Sequence, residues 1–339
     1  MKPALIAILY SDARREYFPT EEMYIAEIEV KTRAEIIAKY LNKLNIETVI
    51  LPGNDRAMKH LQKIKPDMVL NLVDSVRGEE YLCCAIPGVL EVANFPYTGT
   101  GILGLSLSTN KFLTKKLLEQ NNIPVPPYQL FSSPQEALKK SLRFPLIAKL
   151  NSVHGSVAIH KESVLENELQ LRKRLRYLIK TYDDDVLVEQ FIQGREVSVI
   201  LLEGLNKKIY VGEKIFEGSW EREKYKLATF EAEWGGGDSF HYTKYSPDSA
   251  LVRYIHKAYN VLKVEDYAKF EVIITKNHKY YFIDSNPNAE LGPKELDCDI
   301  GLILDLYGIN FNEILRRLIK NCMKFSNNRQ GLSTSLLQN

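Results

Sequence analysis

Two runs of β-forming residues near the end of the chain flank a short polar turn, and this pattern predicts a β-hairpin. The first run is KFEVIIT at 269–275 and the second is YYFIDSN at 280–286. Asn277, in the turn between them, tolerates the positive φ that tight hairpin turns require. A turn centred between Asn277 and His278 sets the register of the two strands, and the register decides which side chains share a face.

In that register four polar side chains project from one face of the hairpin. Glu271 lies opposite Asp284, and Lys269 lies opposite Asn286. Two opposed carboxylates, with Cβ atoms about 5 Å apart, repel each other unless a cation lies between them. A hard divalent ion such as Mg²⁺ prefers these oxygen ligands, and a solvated sheet edge is the alternative that the hairpin alone leaves open. The other face is predicted to enter the core through Phe270, Val272, Ile274, Tyr281 and Ile283.

Length and composition are those of an ordinary globular protein. A chain of 339 residues, 45% hydrophobic and 26% charged, predicts two or three domains. A formal net charge of +2 gives no basis for nucleic-acid binding. The first apolar run, 4–10, is too short to cross a membrane and lacks a cleavage site. The cysteines have neither disulfide-framework nor metal-ligand spacing, so we expect a reduced, cytoplasmic protein.

The first hundred residues alternate between strand and helix patterns. Strands are predicted at 4–10, 47–51 and 67–73, with a helix over 26–44 and a shorter helix after Gly53. This order predicts a parallel sheet with helices on both faces. No glycine-rich dinucleotide fingerprint follows the first strand, so a nicotinamide cofactor has no support.

A second unit begins after a helix over 111–121 and a linker that contains three prolines, Pro124, Pro126 and Pro127. Strands are predicted at 146–150, 157–160, 186–191 and 196–202, and helices at 165–180, 249–262 and 302–323. The helix over 165–180 is predicted to expose a solvated basic face of Arg172, Lys173, Arg174 and Arg176.

The polar segment 220–244, which contains Gly235-Gly236-Gly237, has no clear period. A loop of this length within a compact domain is typical of a lid, and disorder is the alternative.

Several residues are compatible with a nucleotide site. Lys149 ends a buried strand and precedes a tight turn around 154–156, where a lysine beside backbone donors can hold phosphate oxygens. Lys111 is a second candidate, and a surface charge is the alternative for each lysine. The segment that follows Glu189 can offer backbone groups to adenine, with Glu196 placed for ribose hydroxyls. No Walker-type or kinase signature occurs, so a nucleotide site would belong to another architecture.

The order of these elements resembles the D-alanine–D-alanine ligase branch of the ATP-grasp superfamily over nearly the whole chain. The segments that carry the resemblance are AEIEV at 26–30, GEE at 78–80, FPYTGT at 95–100, NK at 110–111, VEQFIQGRE at 188–196 and FIDSN at 282–286. The resemblance implies an α/β, three-lobed ATP-grasp architecture in which two lobes clasp ATP. The expected units are an N-terminal, Rossmann-like parallel-sheet domain at 1–107, a central lobe at 108–190 and a C-terminal lobe with the metal site at 191–330.

The resemblance also implies roles for single residues. ATP would be held by Lys111 and Lys149 at its phosphates, by Glu189 and the backbone of Ile192 at adenine, and by Glu196 at ribose. Two Mg²⁺ ions, for which Mn²⁺ is a candidate substitute, would be ligated by Glu271, Asp284 and Asn286.

Three further residues are implied on the substrate side. Lys269 falls where the family has an arginine that stabilises the transferred phosphate and the oxyanion. Glu27 falls where the family binds the amino group of its first substrate, and Ser156 lies nearest the family's catalytic serine.

Four departures from the family pattern lie mostly on the acceptor side. Lys269 keeps the charge of the family arginine and loses its bidentate fork. A run of NPNAE at 286–290 replaces Asn-x-x-Pro-Gly, and Glu233-Trp234 replaces a Lys-Tyr pair of the lid. The phosphate loop is shortened around Gly155-Ser156. We therefore expect retained ligase chemistry with a different acceptor.

The expected function is an ADP-forming carboxylate–amine ligase for amino acids or peptides, which works through an acyl phosphate. Both chemical steps build negative charge on oxygen, which cations stabilise, so a protein nucleophile is not needed. A true D-alanine–D-alanine ligase of cell-wall synthesis and a catalytically silent ATP-binding module are the alternatives. Small-molecule substrates are expected, without nucleic acid or membrane, and assembly as a homodimer stays open.

Overall fold

The computed structural model describes the backbone over residues 3–204, 208–235 and 239–336, and the side chains as far as Lys324. Three sheets organise this part of the chain, and each comes from a different stretch of sequence. Gly236 and Gly237 of the predicted lid lie outside the described residues. No helix within the described ranges combines the length and the hydrophobicity that crossing a membrane requires.

The N-terminal sheet is parallel, with the strand order β2-β1-β3. Its elements are β1 (Leu5–Tyr10), α1 (Glu21–Ile28), α2 (Val30–Lys43), β2 (Glu47–Pro52), α3 (Ala57–Ile64), β3 (Met68–Leu72), α4 (Ala85–Val92) and α5 (Ile102–Ser108). Successive residues of β1 enter different cores: Ile6 packs in the core that contains α2, and Ala7 packs in the core that contains α3 and α4. The predicted parallel sheet with helices on both faces is confirmed, while the predicted helix over 26–44 is interrupted at Glu29.

The second sheet is antiparallel, with the order β4-β7-β5-β6. Its elements are α6 (Lys111–Gln120), β4 (Tyr128–Phe131), β5 (Leu146–Leu150), β6 (Val164–Leu165), α7 (Glu168–Tyr182) and β7 (Val186–Gln190). Asn110 and Asn167 begin the two helices, since each side chain accepts a backbone N–H of the first turn. The predicted strand at 157–160 is wrong, because these residues form a turn and a short coil, and β5 pairs with β6 instead.

The third sheet has five antiparallel strands in the order β10-β9-β8-β11-β12. The elements of this part are β8 (Arg195–Leu202), β9 (Lys208–Phe216), α8 (Gly218–Glu221), α9 (Phe230–Trp234), β10 (Phe240–Lys244), α10 (Ser249–Val261), β11 (Tyr267–Ile274), β12 (Tyr280–Asn286), α11 (Asp299–Asp305) and α12 (Phe311–Leu336). Segment 220–244 is therefore not one loop, because its last residues form β10 and pair with β9.

The basic face predicted on α7 is only partly solvated. Lys173 and Arg176 are exposed, whereas Arg174 is buried. The Arg174 guanidinium donates to the carbonyl of Ala158 and to Oγ of Ser163 at 2.9 Å. The helix thus uses one of its basic side chains to hold the loop that follows β5.

Candidate active site

The hairpin of β11 and β12 has the predicted register at its open end. Glu271 pairs with Asp284 and Lys269 pairs with Asn286. All four side chains line a cavity of about 520 Å³. The Lys269 ammonium lies 3.1 Å from Oε1 of Glu271 and donates to Oδ2 of Asp299 at 2.6 Å. The polar face is therefore the wall of a cavity rather than an open sheet edge.

A β-bulge corrects the prediction for the rest of the hairpin. The register shifts between Glu271 and Val272, so Val272 pairs with Phe282 and Ile283 is the extra residue. Phe282 and Tyr280 are buried in the core, whereas Tyr281 and Ile283, predicted to be core residues, are only partly buried. The turn differs as well, since His278 rather than Asn277 has the positive φ, of 55°.

The basic side chains around Asp284 keep it ionised. Burial raises the pKa of this carboxyl, but Lys111, His154 and Lys149 together lower it far below its usual value. Asp284, Glu271 and the amide oxygen of Asn286 form an oxygen donor set of the kind that Mg²⁺ prefers. Within the described ranges, no three His, Cys, Asp or Glu side chains are grouped to hold a metal ion. A Mg²⁺ ion bound here would therefore need the amide oxygen of Asn286 and further oxygen ligands from outside the protein.

Two of the residues predicted to bind ATP, Lys149 and Glu189, belong to a buried ionic cluster. Lys149 lies 3.7 Å from Oε2 of Glu189. Burial lowers the pKa of Lys149, but the charges of Glu189 and Asp284 raise it by more, so the pKa lies above its usual value. Lys111 donates to the carbonyl of Val153 at 2.5 Å. Of the predicted site residues, the cavity is lined by Glu27, Ser156, Lys269, Glu271, Asp284 and Asn286, and not by Lys111, Lys149, Glu189, Ile192 or Glu196.

Lys115 belongs to this cluster although the sequence interpretation missed it. Its ammonium lies 2.8 Å from Oε1 of Glu189 and donates to the carbonyls of Phe282 and Ile283, at the bulge. Lys115 is one helical turn after Lys111, so the i, i+4 spacing was the signal that could have found it. The Glu189 carboxylate is almost fully buried between two lysines, and its predicted contact with adenine stays a prediction.

The loop after β5 is tied to three other elements. His154 donates its backbone N–H to the Glu80 carboxylate at 2.9 Å, and its Nδ1 lies 2.6 Å from Oε2 of Glu80. The backbone N–H of Ala158 donates to Glu22, and the guanidinium of Arg174 holds the Ala158 carbonyl. Ser156 lines the cavity with a φ of 55°. The loop is therefore held in one shape by side chains from outside it.

Helix α9, which carries Glu233 and Trp234, covers this loop. The Trp234 indole donates to the carbonyl of Gly155 at 2.9 Å. Glu233 lines the cavity and accepts from Lys214 of β9 at 2.9 Å, and Lys214 also lies 3.2 Å from Glu196. Lys214 was not predicted, because nothing in its local pattern distinguishes a lysine that is fully buried.

Comparison with known proteins identifies the family. A family model described as D-ala D-ala ligase C-terminus matches residues 117–320, which is more than half of the chain. The chain belongs to this D-alanine–D-alanine ligase family. The matched region contains α9, β11, β12 and every predicted metal ligand.

Curated relatives of the family are similar over different lengths. The D-alanine–D-alanine ligase of Carboxydothermus hydrogenoformans is 26% identical over 308 residues, which are 87% of this chain and 94% of that protein. An uncharacterized protein of Sinorhizobium fredii is 29% identical over 177 residues, and this match spans about half of each protein, 50% of this chain and 51% of the other.

Solved structures of the family share the fold. The D-alanine–D-alanine ligase of Bacillus anthracis complexed with ATP superposes with a TM-score of 0.72 at 18% identity, covering 96% of this chain and 99% of that chain. The ligase of Coxiella burnetii gives a TM-score of 0.68 at 19% identity, with coverages of 99% and 98%. The predicted family, its ATP-grasp fold and the enzyme class, an ADP-forming ligase, are confirmed. The lobe boundaries at 107/108 and 190/191 stay predictions.

Proposed function

We propose that this family member is a carboxylate–amine ligase that joins amino acids or small peptides through an acyl phosphate. The observation that carries the proposal is the cavity wall on which Lys269, Glu271, Asp284 and Asn286 share a face. The same cavity reaches Glu27 of α1, the residue proposed to bind an amino group. Such a reaction needs a face that binds phosphate and a carboxylate that binds an ammonium group, both in one cavity.

In the proposed reaction a substrate carboxylate attacks the γ-phosphorus of ATP and ADP leaves. The amine of the second substrate then attacks the acyl carbon, phosphate leaves, and the amine loses a proton. Lys111 and Lys149 would bind phosphate oxygens, while Glu189, the backbone of Ile192 and Glu196 would hold the nucleoside. Glu271, Asp284 and Asn286 would hold Mg²⁺ or Mn²⁺, which when bound neutralises charge on the phosphate oxygens.

Lys269 is suited to the transferred phosphate because its position is set by two carboxylates. Burial lowers the pKa of Lys269, but Asp299 and Glu271 raise it well above its usual value, so the side chain stays cationic. A preorganised cation at this point stabilises charge that develops in both steps. Its single ammonium supplies one point of contact where a guanidinium would supply two.

A D-alanine–D-alanine ligase is the second candidate, favoured by the names of the relatives. The observation against it is the replaced segment after β12, where Glu290 pairs with Arg33 of α2 at 3.0 Å and both side chains line the cavity. This pair forms part of the cavity wall near Glu27.

Phosphate release from MgATP, measured against a panel of amino acids and dipeptides with mass spectrometry of the products, tests the proposal. Release with D-alanine alone would favour the second candidate. Binding of ATP without release in the presence of any substrate pair would favour a silent ATP-binding module and contradict the proposal. Light scattering tests whether the protein is a homodimer, which the sequence leaves open, and cell fractionation tests the proposed cytoplasmic location.

Asp284→Asn is expected to lower Mg²⁺-dependent turnover by at least about a hundredfold, because the ion loses a charged ligand while the side-chain volume is kept. Circular dichroism and the melting temperature should match those of the parent. Asp305→Asn, on a surface carboxylate that pairs with Lys294, is the matched control and should keep full activity. Parental turnover in Asp284→Asn would remove the metal assignment.

A further inference from the structure

Lys115 of α6 is a buried lysine that the proposed reaction does not use. Its ammonium donates to the carbonyls of Phe282 and Ile283 at 3.2 and 3.3 Å, and it lies 2.8 Å from Oε1 of Glu189. Ile283 is the extra residue of the β-bulge in β12. The ammonium is thus held between a backbone bulge on one side and a carboxylate on the other.

Glu189 lies between two lysines at unequal distances. Lys115 is 2.8 Å from Oε1, whereas Lys149 is 3.7 Å from Oε2, which is longer than a hydrogen bond. The Glu189 side chain is 1% exposed, so bulk water does little to solvate its charge. Lys115 is therefore the near partner of this carboxylate, and Lys149 is the distant one.

The ammonium of Lys149 has no hydrogen bond to any residue in the described part of the chain. Its side chain is buried except for 15% of its surface, so this group is open to a ligand. Besides burial, the charges of Glu189 and Asp284 act on its pKa, which places the ammonium near the cavity wall that carries Asp284. All three N–H donors of Lys149 are thus available to a bound anion.

The two lysines compete for Glu189. The pKa of Lys115 lies below its usual value, because burial and the charge of Lys149 lower it by more than Glu189 raises it. Without the charge of Lys115, Glu189 would be a buried carboxylate with Lys149 as its one remaining cation among the described residues. An unpaired buried charge is costly, and the flexible stem of Lys149 allows its ammonium to close the remaining distance.

We propose that Lys115 is a positioning residue for nucleotide binding, which neutralises Glu189 and so leaves the ammonium of Lys149 available to phosphate oxygens. The contacts of Lys115 with the bulge keep it beside Glu189. The inference rests on the proposed function for the phosphate contact of Lys149, and on the contacts of Lys115 for the division of labour between the two lysines.

Isothermal titration calorimetry with ATP and with adenosine, in EDTA, tests the proposal without catalysis or metal. The ratio of the two affinities, here called the phosphate preference, isolates the contribution of the phosphates, because both ligands share the nucleoside. Adenosine is measured by competition where it binds weakly. Circular dichroism and the melting temperature establish that each variant is folded.

Lys115→Met removes the charge and keeps the length of the side chain. It should lower the phosphate preference by at least about tenfold, as expected when Lys149 loses a charged hydrogen bond to phosphate. Lys116→Met, on the neighbouring and more exposed lysine that pairs with Glu119, is the matched control and should stay within about twofold of the parent.

The double variant Lys115→Met/Glu189→Gln removes the competing carboxylate as well. Lys149 is then no longer drawn away, so the phosphate preference should return to within about threefold of the parental value. A lysine that only stabilised the fold would not give this recovery. Any change in adenine binding caused by Glu189→Gln affects both ligands and cancels in the ratio.

Two results would overturn the role of Lys115. One is a parental phosphate preference in folded Lys115→Met. The other is a folded double variant that lacks the preference, and this outcome does not depend on whether the single variant folds. Both leave the proposed ligase standing, whereas equal affinities of the parent for ATP and adenosine would refute the phosphate contact of Lys149 and the inference with it.

Discussion

Arg174 shows how far one side chain can differ from its neighbours in sequence. It is 9% exposed and donates to the Ala158 carbonyl and to Ser163, while Lys173 next to it is exposed. A helix turns by about 100° per residue, so adjacent basic residues point in different directions. Composition predicts a basic face, but only tertiary packing decides which member of that face is buried.

Arg174→Met is expected to lower the free energy of unfolding by about 2 kcal/mol, because buried carbonyl and hydroxyl groups lose a charged donor. Lys173→Met is the matched control and should change it by less than about 0.5 kcal/mol. Urea denaturation followed by circular dichroism measures both. Equal effects of the two substitutions would show that Arg174 is not specifically bound in solution.

Some residues of the candidate site could be predicted from the sequence, and others could not. Glu271 and Asp284 are opposed within one hairpin, so strand pairing brought them together in the prediction. Lys214 and Asp299 reach Glu233 and Lys269 from distant elements, and no local pattern records such contacts. The pair of Arg33 and Glu290 in the cavity wall was missed for the same reason, because the two residues are far apart in the chain.

Among the elements, β12 shows why only part of the hairpin register could be predicted. Its polar pairs have the predicted register, with Glu271 opposite Asp284, whereas the turn and the pairs beyond Glu271 differ from the prediction. The extra residue Ile283 was invisible, because both Tyr281 and Phe282 are suited to a core. A bulge of this kind lets Phe282 remain in the core while Asp284 still faces the cavity.

Phe282→Ala is expected to destabilise the protein by about 3–5 kcal/mol, since a side chain that is 1% exposed leaves a cavity against Phe270. Tyr281→Ala, on the neighbouring and only partly buried residue, should cost about 1 kcal/mol. Thermal or urea unfolding compares the two. The reverse order would mean that β12 has regular alternation and no bulge.

Across the whole molecule, Asp266 joins parts that are far apart in sequence. It is 5% exposed and accepts from the backbone N–H of Gly99 at 2.9 Å and from the Asn321 amide at 2.8 Å. The carboxyl thus connects the segment before α5, the start of β11 and helix α12. Burial raises its pKa from 3.8 to about 7.

Because the folded state binds this proton more tightly than the unfolded chain, protonation of Asp266 favours folding. That contribution is complete below about pH 4 and is lost as the pH rises to about 7. Asp266→Asn cannot titrate, so its stability relative to the parent should rise by about 2 kcal/mol between pH 5.5 and pH 8. Chemical denaturation of both proteins across this range measures the difference, and a constant difference would place the pKa of Asp266 near its usual value.

Helix α9 gives the molecule an optical property. Trp234 is one of two tryptophans in the chain, and its indole is bonded to Gly155 and stacked on Phe230 with ring centroids 6.3 Å apart. The other, Trp220, lies on α8 beside Lys161. A Trp220→Phe protein would therefore contain a single tryptophan, and its emission would report on the contact between α9 and the loop without any added dye.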